Sequence, residues 1–319
     1  LFDREYFSLA QYTIGGGTTF SCHLMHKLGR KYILRIGKRL ENKSRYFGYN
    51  IFYQNVPLDF IDNVKRPFVT DMFRKFQVLP KLERENVTIV IHDPQELFSI
   101  VIPYLKGWKI VNIRKTVQDW FKKTYDIKTN FLWHPFYEYP KLESNDKTKY
   151  VSISRIDFDK HTDIIVDANT LLKIDNLPEI EIYGTHNSIY TYHKLGFNKF
   201  HEYPNYKGPF DKDFQSLNKI LSPSKVVVDM SAIKEDGGGT QYTFLEAIYN
   251  NCGLILNKKW TESPHADFID GYNCIAVGTG KELYEKIKEI ESGRIDIIPM
   301  IENSKKLMER HTNVDWSQI

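Results

Sequence analysis

The stretch from Glu235 to Lys258, EDGGGTQYTFLEAIYNNCGLILNK, carries residue types and spacing that could do chemistry. Gly237, Gly238 and Gly239 give a loop without Cβ atoms, able to take positive φ and to let a ligand approach the backbone. Thr240 is placed as an N-cap, and Thr240 to Asn250 shows helical apolar spacing at Tyr242, Leu245, Ala247 and Ile248. A glycine loop feeding a helix N-terminus is an anion site, because unpaired N–H groups and the helix dipole both favour negative charge. Glu246 stands a turn and a half into that helix, where a carboxylate gains little from the dipole. It could instead reach a pair of bound hydroxyls. A diphosphate at the loop and a diol at the carboxylate together describe a sugar nucleotide. The same spacing also fits a plain surface turn followed by a solvated helix residue.

Two further sets of residues invite a chemical reading. Arg155 and Lys160 straddle a turn after the run YVSIS, a suitable place for two cations to hold a diphosphate leaving group. The intervening Asp157-x-Asp159 could tempt a metal reading, but Arg155 and Lys160 would oppose a divalent cation there, so no metal is expected. His92 and Asp93 follow VTIVI, where a histidine beside a carboxylate could steady a charge or orient a hydroxyl. Equally, Asp93 and Pro94 could simply cap the helix Gln95 to Leu105.

The elements that must hold these groups alternate. Tyr6 to Thr13 reads as a strand, Gly15-Gly16-Gly17 as a loop, and Phe20 to Leu28 as a helix with Phe20, Leu24 and Leu28 on one face. Strands are expected at 31–36, 49–56, 87–91, 109–114 and 130–133, with a helix at 117–123. The polar, proline-containing segment Tyr137 to Lys149 reads as a linker. Beyond it, strands are expected at 150–154, 179–184, 225–231 and 274–277, and helices at 162–172, 214–221, 281–291 and 301–310. Phe200 to Phe210 reads as a tyrosine-rich loop. This pattern predicts an α/β fold of two parallel domains, residues 1–140 and 149–311, followed by a tail 312–319.

At 319 residues each domain can bury its own core, and 41% hydrophobic with 26% charged residues is globular composition. The net charge is only +4, yet His26 to Arg45 holds eight Lys or Arg against one Glu. That run includes Lys38, Arg39, Lys43 and Arg45, and Arg74 and Lys75 lie in a second basic stretch from Lys65 to Arg84. Such runs form solvated faces or, alternatively, a track for a polyanion. Cys22, Cys252 and Cys274 lack metal-ligand spacing and sit in apolar surroundings, which suits a reduced, cytoplasmic setting. No apolar run approaches the roughly 18–20 residues that span a bilayer. The chain begins at Leu1 rather than Met, and a leader ahead of it is not expected.

The block around Gly237 to Gly253 resembles the nucleotide-sugar signature of retaining GT-B glycosyltransferases. Among these it is most similar to the phage DNA α-glucosyltransferases, through Tyr242-Thr243, Leu245-Glu246 and Cys252-Gly253. The common pattern separates its two glutamates by seven residues, whereas ten separate Glu235 from Glu246. The resemblance implies two Rossmann-like domains facing across a cleft, residues 1–140 on the acceptor side and 149–311 for the nucleotide sugar, with the tail 312–319 crossing back to the first, and His92 and Asp93 bordering the reacting centre. It implies a donor, a UDP-sugar, held by Gly15, Gly16, Gly17, Glu235, Gly238, Gly239, Thr240, Gln241, Tyr242, Thr243 and Glu246. The nucleobase would lie against Tyr183, Gly184, Tyr206 and Lys207, while Arg155 and Lys160 hold the leaving group. The acceptor implied is double-stranded DNA carrying a hydroxymethylated pyrimidine, reached by base flipping and gripped by the basic runs. A glycan or lipid-linked acceptor, and a non-catalytic nucleotide- or DNA-binding module of the same fold, are the competing expectations. A helicase or kinase fits poorly, because neither glycine loop is followed by the Lys-Ser/Thr pair of a P-loop.

Overall fold

Short β-branched runs bounded by polar turns become the strands of two sheets, each with helices at its flanks. The computed structural model describes residues 7–10, 16–29, 32–36, 44–46, 49–54, 68–69, 87–92, 105–144, 146–210, 213–232, 239–263, 265–317 and 319. The chain divides into two units, Leu1–Glu138 with Arg310–Ile319, and Tyr139–Glu309.

In the first unit β1 (Phe7–Ala10), β2 (Tyr32–Ile36), β3 (Ser44–Tyr46), β4 (Tyr49–Gln54), β5 (Phe68–Val69), β6 (Thr88–Ile91), β7 (Lys109–Asn112) and β8 (Asn130–Phe131) form one sheet. Its order is β3-β4-β2-β1-β5-β6-β7-β8, and only the β3–β4 pair is antiparallel. Helix α1 (Gly16–Lys27) starts earlier than its apolar spacing suggested, so Gly16 and Gly17 belong to its first turn rather than to a loop. Its Phe20, Leu24 and Met25 are fully buried, and Leu28 is only partly so. Helix α2 (Lys115–Tyr125) buries Val117 and Phe121 and ends on Asp126 in the left-handed conformation.

The second unit is a six-stranded, wholly parallel sheet of β9 (Lys149–Ile153), β10 (Ile180–Tyr183), β11 (Tyr206–Gly208), β12 (Ser224–Asp229), β13 (Gly253–Asn257) and β14 (Ile275–Val277). Strands β12 and β13 are buried almost end to end, as their continuous apolar runs require in a parallel sheet covered on both faces. The helices are α3 (Thr162–Ile174), α4 (Ser188–His193), α5 (Phe214–Leu221), α6 (Tyr242–Tyr249), α7 (Gly280–Glu291) and α8 (Ile298–Thr312). Ile165, Ala168 and Leu172 of α3 face the core at helical spacing, as do Leu283, Ile287 and Ile290 of α7. Thr279 caps α7 by accepting from the Glu282 N–H at 3.2 Å, and the Glu282 carboxylate accepts from the Gly278 N–H at 2.6 Å. The segment expected as a tyrosine-rich loop is more regular than that: a 3-10 turn, Phe200–Glu202, leads into edge strand β11. A loop reading missed it because three residues are too few to display alternation.

Buried and half-buried polar groups lock both units. Lys147 donates to the carbonyls of Leu221 (3.4 Å), Ser224 (3.2 Å) and Asn250 (2.8 Å), satisfying acceptors at the ends of α5 and α6. In the first unit the Phe136 N–H donates to the His311 carbonyl (3.1 Å), and His311 Nδ1 is 3.0 Å from the His134 carbonyl. The carbonyl can only accept, so His311 carries its proton on Nδ1. Trp316, 1% exposed, donates to the Trp133 carbonyl at 3.0 Å. The three cysteines are free and buried, and burial pushes the Cys252 and Cys274 thiols up to about 12.

Two outcomes follow from this packing. Gly184 has φ +145°, and a Cβ there would lie 2.0 Å from the Ser154 carbonyl oxygen. Gly184→Ala should therefore cost about 2–4 kcal/mol of stability, read as a lower denaturant midpoint at unchanged slope. Burial pushes His311 down to about 4, and burial with the neighbouring His311 holds His134 well below the ordinary imidazole range. Folding selects the neutral rings, so their stabilisation is complete above the unfolded value of 6.5 and is lost as pH falls toward 4. Unfolding free energy should drop by about 3 kcal/mol from His311 alone across that interval. His311→Gln should flatten the profile measured by urea unfolding.

Candidate functional site

Strand order in each sheet reverses once. In the second unit, β9 lies between β10 and β12, so the chain winds outward through β10 and β11 and then restarts at β12 on the other side. Connections from β9 and β12 therefore leave in opposite directions, and a crevice opens at their carboxyl ends, where open α/β sheets bind ligands. Arg155, Lys160, Asp229 and Ser231 all lie just at or beyond those ends.

The hydrogen bonds there form one continuous chain. Arg155 Nη1 lies 3.0 Å from Asp157 Oδ2, and its Nη2 lies 3.2 Å from Asp159 Oδ2. Lys160 Nζ is 3.7 Å from the same Asp159 oxygen and donates to Ser231 Oγ at 3.0 Å. The Ser231 N–H donates to Asp229 Oδ1 (2.8 Å), and the Gln241 side-chain amide donates to Asp229 Oδ2 (3.3 Å). Trp260 Nε1 holds the Ser231 carbonyl at 2.9 Å, and the Ala232 N–H holds the Asp159 carbonyl at 3.1 Å. The two cations and the start of α6 are thus fastened to a single turn.

Helix α6 begins one residue past Gln241, not at Thr240. Gln241 is the N-cap by backbone conformation, makes no side-chain cap bond, and turns its amide back to Asp229. Thr240 is 1% exposed and its hydroxyl lies 3.4 Å from the Gln241 carbonyl. Gly239 has φ +77°, the left-handed conformation for which glycine carries no Cβ penalty. The first turn of α6 contains no acidic side chain, so nothing there competes with an incoming anion. Tyr242 is buried and Thr243 only partly so.

Glu246 is not a solvated helix residue: it is 3% exposed, and its carboxylate accepts a hydrogen bond from the Tyr139 hydroxyl. Burial, and next the Glu246 carboxylate, hold Tyr139 protonated far above the ordinary phenol range. Tyr139 stacks on Phe214 (4.1 Å between ring centroids), which fixes where its hydroxyl points.

The residues expected at a nucleobase are engaged with their own strands and turns. Tyr183 donates to Glu181 Oε2 at 2.8 Å, Tyr206 to the Gly184 carbonyl at 2.8 Å, and Lys207 to the Pro204 carbonyl at 3.1 Å. Burial, and next the Glu181 carboxylate, raise the Tyr183 phenol above its ordinary range. Gly184 is needed for close approach of β10 to the end of β9.

In the first unit β1 lies between β2 and β5, a second reversal, and α1 follows β1 with Gly16 and Gly17 in its opening turn. His92 follows β6 and meets the edge of Phe20 on α1 at 4.9 Å. Arg45 lies in β3, which pairs with β4. Gly15, Lys38, Arg39, Lys43, Arg74, Lys75, Asp93, Glu235 and Gly238 lie outside the described residues.

Asp229, Ser231 and Tyr139 were not foreseen. An acid closing the apolar run KVVVD was the available signal for Asp229, because a charge ending a buried strand must find donors. Tyr139 had none, since it meets Glu246 from 107 residues away. Among the described residues no group of three or more His, Cys, Asp or Glu could hold a metal ion, and no helix is long and apolar enough to cross a membrane.

No family model matches the sequence, and no curated protein matches it. Solved structures do match. HepE of Anabaena, crystallised with UDP and glucose, is 13% identical over 97% of this chain and 95% of its own, with a TM-score of 0.71. An alpha-glucosyltransferase in complex with UDP and a 13-mer DNA containing an HMU base is 12% identical over 97% of this chain and 95% of its own, also at 0.71. A glycosyltransferase from Rickettsia africae is 12% identical over 97% and 94%, at 0.61. With two parallel α/β units and this likeness over nearly its whole length, the chain has the GT-B fold.

Proposed function

We propose that the chain is a retaining glycosyltransferase that moves a sugar from a UDP-sugar to the hydroxyl of a modified base, such as 5-hydroxymethylcytosine, in phage DNA. The observation that carries the donor half is the pairing, at one sheet reversal, of Arg155 and Lys160 with the uncapped start of α6. A diphosphate seated there meets two cations and the α6 N–H groups, which together stabilise the negative charge that develops as it leaves. These groups supply the positive charge that a metal ion supplies in other transferases. Glu246, fixed by Tyr139, is the carboxylate that would accept from a ribose diol.

Chemistry follows a front-face course. The bond from the anomeric carbon to the diphosphate breaks, the acceptor oxygen bonds that carbon on the same face, and the acceptor proton passes to the departing phosphate oxygen. His92 and Asp93 orient the acceptor hydroxyl or support positive charge at the sugar. The basic runs around Lys38, Arg39, Lys43, Arg45, Arg74 and Lys75 would grip the duplex, and the target base would flip out to reach the site. Support for a DNA acceptor comes from the residues shared with phage enzymes and from the likeness to a transferase crystallised on DNA. A glycan or lipid-linked acceptor is the second reading, favoured by the likeness to TarM of S. aureus, crystallised with alpha-GlcNAc-glycerol and UDP. That structure matches over 78% of this chain and 52% of its own, with 17% identity and a TM-score of 0.54.

Transfer of radiolabelled sugar from UDP-glucose to hydroxymethylated duplex DNA tests the whole reading. Activity on the duplex should fall steeply with salt and be absent on free sugars; the reverse pattern selects the glycan acceptor. Binding of UDP with neither transfer nor hydrolysis would make the chain a binding module. Arg155→Ala and Lys160→Ala should each lower kcat by about 100-fold or more, the usual effect of removing one charge-stabilising donor. Glu246→Gln keeps the shape and still accepts from Tyr139. It should raise the donor KM about tenfold and erase any preference for UDP over its 2′-deoxy analogue, as loss of one charged hydrogen bond predicts.

A further inference from the structure

We propose that Asp159 is a built-in counter-ion of the donor site, which holds Arg155 and Lys160 before the donor binds and is displaced by the diphosphate. The inference rests on the donor reading above and adds a residue that sets donor affinity. One oxygen of Asp159, Oδ2, faces both cations, at 3.2 Å from Arg155 Nη2 and 3.7 Å from Lys160 Nζ.

The neighbouring Asp157 also pairs with Arg155, through Oδ2 at 3.0 Å, but does not face Lys160 and has a structural task besides. Its Oδ1 accepts from the Phe158 N–H (2.9 Å) and from Asn187 Nδ2 (3.0 Å), which shapes the turn and ties it to the segment before α4. Among the described residues the Asp159 carboxylate touches only the two cations, and its side chain is 48% exposed. What Asp159 contributes to the fold is its backbone carbonyl, which accepts from Ala232 and survives any change of side chain. The carboxylate therefore stands where an anion belongs, with the two cations as its contacts among the described residues.

A diphosphate carries more charge than one carboxylate and can take Arg155 in a bidentate grip, so it wins the exchange. The exchange still subtracts from donor affinity, because two existing ion pairs are given up. When the nucleoside diphosphate departs, Asp159 recaptures the same cations and opposes rebinding.

Calorimetric titration of UDP, inorganic pyrophosphate and uridine into the wild-type chain, Asp159→Asn and Asp163→Asn tests this. Asp163 is an acid in the first turn of α3 that pairs with Lys194 (3.3 Å) and touches neither Arg155 nor Lys160. Exposed ion pairs of this kind contribute little each, so Asp159→Asn should tighten UDP and pyrophosphate by about three- to tenfold. The gain should shrink in high salt and be absent for uridine, which carries no phosphate. Asp163→Asn should change UDP affinity by less than about twofold, as befits a screened charge outside the contact. UDP binding that is unchanged or weaker in Asp159→Asn overturns the counter-ion role while leaving the donor site standing. Equal tightening by Asp163→Asn also overturns it, because the cause would then be the general field. Failure of all three chains to bind UDP overturns the donor reading and this inference with it.

Discussion

Two parallel strands whose connections depart in opposite directions cannot both be covered at their carboxyl ends. That constraint, met by β9 and β12, governs the second unit. The turns that follow these strands meet at the gap, and Arg155, Lys160, Asp229 and Ser231 lie on those turns or at the strand ends. The first unit repeats the geometry at β1 and β5. A fold with one reversal in each sheet provides two such places without any special sequence beyond the crossover pattern.

Around the gap the buried carboxylates among the described residues, Asp229 and Glu246, each have partners. Asp229, 1% exposed, takes an N–H from Ser231 and an amide from Gln241. Glu246 takes the Tyr139 hydroxyl. At the other end of the sheet, beside the amino ends of β9 and β12, the half-buried Lys147 spreads its ammonium over three carbonyls. Each would be costly alone, and each instead fixes one element relative to another. The exposed Arg155 is held more loosely by two carboxylates in high dielectric, the condition for an ion pair that can be exchanged. The rigid part of the site is buried and neutralised internally, whereas the exchangeable part faces water.

The first unit uses histidine in the opposite sense. His311 and His134 are fully or nearly buried, and burial keeps both neutral, so their rings pack against each other while the His311 ring donates to the His134 carbonyl. His23, also buried, stacks on Phe136 at 4.5 Å and accepts from the Tyr137 N–H at 3.0 Å. His92, half-buried, directly follows the carboxyl end of β6 and meets the edge of Phe20.

Much of this was legible in the chain itself. Apolar runs such as KVVVD and VTIVI, separated by helical spacing and glycine turns, determined two parallel α/β units and most strand positions to within two residues. Local chemistry also marked Arg155, Lys160 and the glycine-led helix, because each is defined by near neighbours in sequence. The start of α1 at Gly16 and the edge strand β11 were misjudged, since glycine's weak helix propensity and a three-residue strand give little local signal. Tertiary structure alone decided that Glu246 is buried against Tyr139, that Asp229 binds Gln241, and that Ser231 holds Lys160 across 71 residues. Sequence spacing sets which face a side chain takes on its own helix or strand. What meets that face depends on the order in which the strands pair, and that order is a property of the whole chain.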